Sequence, residues 1–149
     1  MDGRELSELI ENRWLTLRRL LEISARQIDA IGGCRMSELM RLLSEKQAPL
    51  SQLLEITEQI QSAAEEDHAA RHWESDSQRE ECRQRQEECE RMHLELLAIE
   101  AECESALQQS RVTLQQRLDR VDSGRAAANG YARTDRPPTS GVTLDLSSW

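Results

Sequence analysis

Between Pro49 and Gly124 the chain carries neither glycine nor proline. These residues are the strongest local breakers of helix, and apolar residues recur in the second half of the stretch at the three-and-four spacing of a helical face. The stretch therefore predicts long helix. At about 1.5 Å per residue, a helix of about fifty residues would be roughly 75 Å long. Other helices must cover an apolar stripe of that length, so we expect a protein-binding function.

The composition favours a slender helical protein. Of the 149 residues, 32% are charged and only 3% are aromatic. The apolar residues are mainly leucine, isoleucine and alanine, which suit packed helices better than a sandwich or an α/β sheet. We predict an all-α fold, an elongated antiparallel helical hairpin or coiled-coil-like three-helix bundle.

The charge limits the class of partner. The net charge is −9 at pH 7, whereas phosphate binding needs a surplus of Lys and Arg, so no nucleic acid partner is expected. The N-terminal residues are too charged for a secretion signal, and no run reaches the roughly 18 apolar residues of a membrane span. We expect a cytoplasmic protein without membrane insertion, whose acidic surface favours Arg-bearing or Lys-bearing partners.

The pattern predicts three helices, at about 4–31, 35–64 and 77–123. The first has an a/d seam that Ser24 interrupts once, and Gly32 and Gly33 are expected to end it in a left-handed conformation. The seam comprises Ile10, Trp14, Leu17, Leu21, Ile28 and Ile31. Residues 124–149, rich in Gly, Pro, Ser and Thr, predict a disordered, flexible tail.

The second predicted helix contains Pro49, which indicates either a kink or a local break. We predict one kinked helix, with a single apolar stripe of Met36, Leu39, Leu43, Leu50, Leu53, Leu54 and Ile60. Ser77 and Glu80 have the spacing of a capping box, which places the start of the third helix there. Residues 65–75 lose the stripe and predict a connection.

The third predicted helix has its own seam: Cys82, Cys89, Met92, Leu96, Ile99, Cys103, Leu107, Leu114, Leu118 and Val121. Its acidic first part is expected to be solvated or frayed. Cysteines seven residues apart on a helix are about 10 Å apart, too far for a disulfide, and we interpret them as small buried residues. Two helices of about thirty residues cover only part of this seam, so its last residues are candidates for partner binding.

Catalytic and metal-binding patterns are weak. Glu65, His68 and His72 have helical spacing but lack a visible further ligand or a second shell, so no metal or cofactor is expected. Cys89 and His93 lack a third orienting group. The many paired glutamates fit a solvated helix face with arginine partners. We predict that the protein is not an enzyme.

Three segments carry a family resemblance. LSELIENRWLTLRRLLEI is followed by a glycine-containing break and by MSELMRLLSEKQAPLSQLLEI, and ANGYA follows the long third helix. In this order they resemble the FlgN family of flagellar type III export chaperones, over roughly residues 6–132. The second helix with Pro49 and the segment after residue 132 depart from that pattern.

The resemblance implies a small bacterial cytosolic chaperone that binds the helical C-terminal regions of hook–filament junction proteins and delivers them to the export gate during flagellum assembly. The implied cargo-binding residues are Leu107, Leu114, Leu118 and Val121, and the implied gate contact is Tyr131. The alternative is a structural coiled-coil protein that homodimerises without an export role, favoured by the seam of the first helix. The sequence leaves the cargo and the oligomeric state open.

Overall fold

A computed structural model describes the backbone of residues 1–65 and 71–132, and the side chains of 1–65 and 71–130. The described chain forms three helices and no strand: α1 (Gly3–Gly32), α2 (Met36–Ala64) and α3 (Asp76–Ala132). The predicted all-α, three-helix fold is confirmed. The predicted disordered tail lies largely outside the described residues.

The chain divides into two units, Met1–Ser110 and Arg111–Trp149. In the first unit α1 and α2 run antiparallel, because only residues 33–35 separate them. The first unit's part of α3 runs parallel to α1. The Cys89 thiol donates to the Ile10 carbonyl and the Cys103 thiol to the Ser24 carbonyl, both across a sequence separation of 79. The first unit is therefore an up-down-up bundle.

The start of α1 is fixed by side-chain caps and by the chain that precedes α3. Asp2 and Glu5 form a capping box, in which the Asp2 carboxylate accepts from the Glu5 amide at 2.8 Å. The Gly3 amide donates to the His72 carbonyl at 2.9 Å. A Cβ at Gly3 would lie 2.5 Å from the Trp73 ring, so only glycine allows this approach.

The turn after α1 differs from the prediction. The left-handed residue is Cys34, with φ 54°, whereas neither Gly32 nor Gly33 has positive φ. The Arg35 amide donates to the Ala30 carbonyl, and the Cys34 amide donates to the Ile31 carbonyl. These two bonds define a Schellman motif centred on Cys34. The prediction that the glycines supply the left-handed residue is therefore wrong.

The α2 helix runs without a break through Pro49, which is buried. Proline removes the amide that would donate to the Glu45 carbonyl. Glu45 is exposed, so water can replace this donor. The prediction of one helix rather than two is confirmed.

The single stripe predicted for α2 is wrong. Leu39 and Leu53 are buried in the bundle, whereas Met36, Leu43, Leu50 and Leu54 are exposed. The helix has two apolar faces, which the sequence pattern merged.

Both ends of α3 differ from the prediction. Ser75 rather than Ser77 caps the helix: its hydroxyl accepts from the Gln78 amide at 3.0 Å, and the Gln78 side chain accepts from the Glu74 amide. The helix ends at Ala132 rather than Ser123. Three consecutive alanines, which have the highest helix propensity, follow Gly124 and favour this extension. The first part of α3 is solvated rather than frayed: it is helical from Asp76 and most of its side chains are exposed, although Cys82 and Cys89 are buried.

Two apolar clusters fill the first unit. One joins all three helices and contains Leu6, Ile10, Leu17, Leu20, Leu53, Ala63, Cys82, Cys89 and Leu96. The other lies towards the α1–α2 turn and contains Ile23, Ala30, Ile31, Leu39, Leu42 and Cys103. The a/d seam predicted for α1 is thus used inside the bundle, with Trp14, Leu21 and Ile28 partly buried at its border.

Candidate partner-binding surface

In the second unit, the α3 residues carry three large apolar side chains on one helical face. Leu114, Leu118 and Val121 are 57%, 43% and 55% exposed. Their spacing of four and three residues places them on a common face. Every side chain described in this unit, at positions 111–130, is exposed. We call Leu114, Leu118 and Val121 the second-unit stripe.

Leu107, the fourth residue predicted to bind cargo, belongs to the first unit. It is exposed, whereas Cys103, one helical turn earlier on the same face, is buried. The buried seam of the first unit therefore ends between these two residues. The role of Leu107 in cargo binding stays a prediction.

Tyr131, the predicted gate contact, lies in the last turn of α3. Its side chain is outside the described part of the structure, and so is His68, one of the weak metal-ligand candidates. The sequence-based role of Tyr131 stays a prediction.

The charge around the second-unit stripe is opposite in sign to the net charge of the chain. Residues 111–130 contain four arginines and two aspartates, a local charge of +2 in a chain of −9. Arg111 and Arg117 lie three residues before and after Leu114, so they flank the stripe on its two sides. Of the two aspartates, Asp119 lies on the far side and accepts from Gln115 at 3.2 Å, whereas Asp122 lies one turn after Leu118, on the same side of the stripe as Arg111. This surface favours an acidic partner helix, in contrast to the partner that the net charge indicated.

The buried cysteines of the first unit are poor nucleophiles. Burial raises the pKa of Cys89 to about 11, and it also raises the pKa of Cys103. Both thiols are therefore protonated near neutral pH and donate to backbone carbonyls of α1. His93 is half-buried and its Nδ1 has no hydrogen-bond partner. None of these groups is arranged as an activated thiolate, which needs a lowered pKa.

A polar network crosses the interior of the bundle. The Lys46 ammonium donates to Gln27 Oε1 at 2.9 Å and to the Glu100 carboxylate, and Ser24 donates to the same carboxylate at 2.8 Å. Burial lowers the pKa of Lys46. The network links α2 to both other helices, and it explains why Ser24 interrupts the apolar seam of α1.

Trp14 makes a second polar link between α1 and α3. Its indole N–H donates to Glu88 at 3.0 Å, and the Arg85 guanidinium lies 4.3 Å from the ring centroid. Arg85 also pairs with Glu11 and Glu88, at 3.0 Å each. Each of these groups is paired with another member of the set, so their arrangement is that of a packing contact.

A shallow cleft of about 350 Å³ lies between Trp73 and the first turns of α3. Its charged groups include Glu80 and Arg83, and their hydrogen bond lowers the pKa of the Glu80 carboxyl. A general acid near neutral pH needs a raised carboxyl pKa, so this pairing does not favour acid catalysis.

Metal-ligand residues are dispersed in the described structure. Residues 1–65 and 71–132 contain no group of three or more His, Cys, Asp or Glu placed to hold a metal ion. His72 contributes only its backbone carbonyl to the contact with Gly3. Over the same residues, no helix is both long enough and apolar enough to cross a bilayer.

Sequence reasoning found the second-unit stripe but missed its arginine flanks and the exposed face of α2. The sequence has arginines three residues before and three residues after Leu114, but the negative net charge of the whole chain conceals this local positive charge.

Comparison of the chain with protein-family models, with curated proteins and with solved structures finds no match.

Proposed function

We propose that this protein is a cytoplasmic export chaperone, which binds the helical C-terminal regions of flagellar hook–filament junction proteins and delivers them to the type III export gate. The observation that carries the proposal is the second-unit stripe, three large apolar side chains exposed on one helical face. The sequence resemblance supplies the cargo class. The order of the helices, with lengths of 30, 29 and 57 residues, is consistent with it.

Burial of apolar surface provides the binding energy. A cargo helix that lays its own apolar face on the stripe gains about 25 cal/mol for each Å² removed from water. Ordering of side chains and loss of rigid-body freedom offset much of this gain. The resulting moderate affinity suits a chaperone that must release its cargo.

The flanking arginines add selectivity. We expect the preferred cargo helix to carry Asp or Glu beside its apolar face, opposite Arg111 and Arg117. Such pairs at an exposed rim contribute mainly to the association rate and to partner choice. Binding should therefore weaken as salt is raised.

The alternative, a coiled coil that only homodimerises, loses the feature that favoured it. The α1 seam is occupied by α2 and α3 of the same chain, with Ile10, Leu17 and Ile31 buried. No α1 seam remains to pair with a second copy.

The test is binding of purified hook–filament junction proteins to the full chain, measured by titration calorimetry. Leu114→Glu together with Leu118→Glu should weaken binding by at least about 100-fold, since each places a carboxylate in the apolar contact. Val112→Glu is the matched control, because Val112 is an exposed apolar residue of the same unit on the opposite helical face. It should leave binding within about threefold.

Equal loss in the control, or tight binding by the double variant, would contradict the proposal. A chain truncated after Ser123 separates binding from delivery. It should keep its cargo but fail to support export, because it lacks Tyr131. A purely structural coiled coil should be unaffected by that truncation.

A further inference from the structure

The helix of the second unit depends on its own sequence for stability. Every side chain described at positions 111–130 is exposed, whereas two apolar clusters hold the helices of the first unit together. Among the described side chains of residues 111–130, one hydrogen bond is formed, from Gln115 to Asp119, and no ion pair. A helix of about twenty residues without packing is only marginally stable in water. Its stability is therefore set by the helix propensity of its residues.

The helix propensity of this segment is low. Half of the fourteen residues from Arg111 to Gly124 are poor helix formers: Val112, Thr113, Asp119, Val121, Asp122, Ser123 and Gly124. Each of them propagates a helix less well than alanine, and for glycine the difference is about fivefold. We therefore expect helix that continues from Ser110 to be lost, in a growing fraction of molecules, before it passes Val121, the last residue of the second-unit stripe.

Gly124 weakens the helix although nothing in the described structure requires a glycine there. A Cβ at this position would meet no neighbouring side chain within 4 Å, and the φ of Gly124 is not positive. Neither close packing nor a left-handed backbone therefore explains the glycine. Alanine would fit the same space and strengthen the helix. The segment is thus less helical than its surroundings would allow.

We infer that cargo binding is coupled to folding of residues 111–130: the free chain forms this helix in a minor fraction of molecules, and the partner helix selects and stabilises that fraction. The inference rests on the proposed function, because a cargo helix is the partner that covers the second-unit stripe. The apparent dissociation constant is then the intrinsic one divided by the fraction of chains that are helical. Weak helix formation thus lowers the affinity without removing any contact with the cargo, and it favours release.

A comparison of alanine and glycine at exposed positions away from the contact tests this coupling. Gln116 and Ser123 are exposed, and each lies two residues from a member of the stripe, on the opposite face of the helix. One variant carries alanine at both positions, Gln116→Ala with Ser123→Ala, and the other carries glycine, Gln116→Gly with Ser123→Gly. By titration calorimetry the glycine variant should bind hook–filament junction proteins about 25-fold more weakly than the alanine variant, since each exchange of alanine for glycine costs about fivefold in helix formation.

Gly124→Ala tests the natural glycine. It should raise the helix content of the free chain, measured by circular dichroism, and tighten cargo binding by up to about fivefold. Gln52→Ala and Gln52→Gly form the matched control, because Gln52 is an exposed residue of α2 in the first unit. Glycine there lowers the stability of the bundle, but the two control variants should bind cargo with dissociation constants within about twofold of each other.

Amide hydrogen exchange of the free chain gives a readout that needs no cargo. The helix at residues 111–130 should open more often in the double glycine variant than in the double alanine variant, with exchange rates that differ by at least about fivefold. The amides of α1 should exchange alike in both variants.

Equal cargo affinity of the double alanine and double glycine variants, with a parent chain that binds cargo, would overturn the coupling and leave the proposed function standing. Exchange at residues 111–130 of the free chain as slow as in α1 would indicate a preformed helix and would overturn the coupling as well. A parent chain that binds no hook–filament junction protein would contradict the proposed function and, with it, this inference.

Discussion

Single residues decide where the helices of this protein begin and end. Cys34 holds the left-handed position of the turn between α1 and α2, with φ 54°, although two glycines precede it. A left-handed backbone costs a residue with a Cβ roughly 1–2 kcal/mol. The Schellman hydrogen bonds to Ala30 and Ile31 hold Cys34 there despite that cost.

Cys34→Gly should therefore raise the free energy of unfolding by about 1 kcal/mol, because glycine adopts positive φ without strain. Urea denaturation monitored by circular dichroism measures this change. Cys34→Ala is the control, since it removes the same thiol but keeps a Cβ, and its stability should match that of the parent chain. Equal stability of the glycine and alanine variants would show that Cys34 bears no strain.

The sequence indicated that a glycine would end α1, because glycine is the usual left-handed residue. It could not indicate which of three consecutive positions takes that role, since the outcome depends on where the last carbonyls of α1 find donors. The start of α3 has the same ambiguity. Ser75 is followed three residues later by Gln78 and Ser77 by Glu80, so the sequence allows a cap at either serine, and the structure uses Ser75. Local patterns placed the helix ends within a few residues, except at the alanine-rich end of α3.

At the scale of secondary-structure elements, α2 shows what helical periodicity predicts and what it misses. The sequence pattern identified the helix and its apolar residues, but it merged Leu39 and Leu53 with Met36 and Leu54 into one stripe. The structure separates these residues into a face that is buried in the bundle and a second face that is exposed. Which face packs inwards depends on α1 and α3, and a helical period contains no information about neighbours.

The polar network that joins α2 to the other helices is asymmetric in burial. The Lys46 side chain is 5% exposed, whereas that of its partner Glu100 is 40% exposed. Removal of the carboxylate leaves a buried ammonium without its counter-charge, and removal of the ammonium leaves a carboxylate that water can reach.

Glu100→Ala should therefore lower the free energy of unfolding by about 2 kcal/mol, somewhat less than the cost of breaking a fully buried pair. Lys46→Met should lower it by about 1 kcal/mol, since methionine fills the apolar space of the lysine stem but leaves the buried Gln27 Oε1 without its donor. Chemical denaturation of both variants gives the comparison. If Lys46→Met is the more damaging of the two, the ion pair itself stabilises the bundle and the explanation from burial is wrong.

At the scale of the whole molecule, the two units differ in how they satisfy their apolar residues. The first unit buries its seams within a three-helix bundle. In the second unit, all described side chains are exposed. An isolated helix of about twenty residues is only marginally stable in water. A helix that carries an uncovered stripe is therefore best stabilised by a partner.

The sequence predicted that apolar surface would remain uncovered near Leu114, because two shorter helices cannot cover a long one. It did not predict the local positive charge or the second uncovered face on α2. Both depend on which residues the bundle leaves at the surface, and that is a property of the assembled fold.

Hydrogen exchange of the full chain, with and without a hook–filament junction protein, tests the central claim that the second-unit stripe binds a partner helix. In the free protein we expect amides of residues 111–130 to exchange much faster than those of α1. On addition of cargo their exchange should slow at least about tenfold, and Leu114→Glu with Leu118→Glu should abolish the protection. Unchanged exchange at residues 111–130 in a cargo-bound sample would contradict the account.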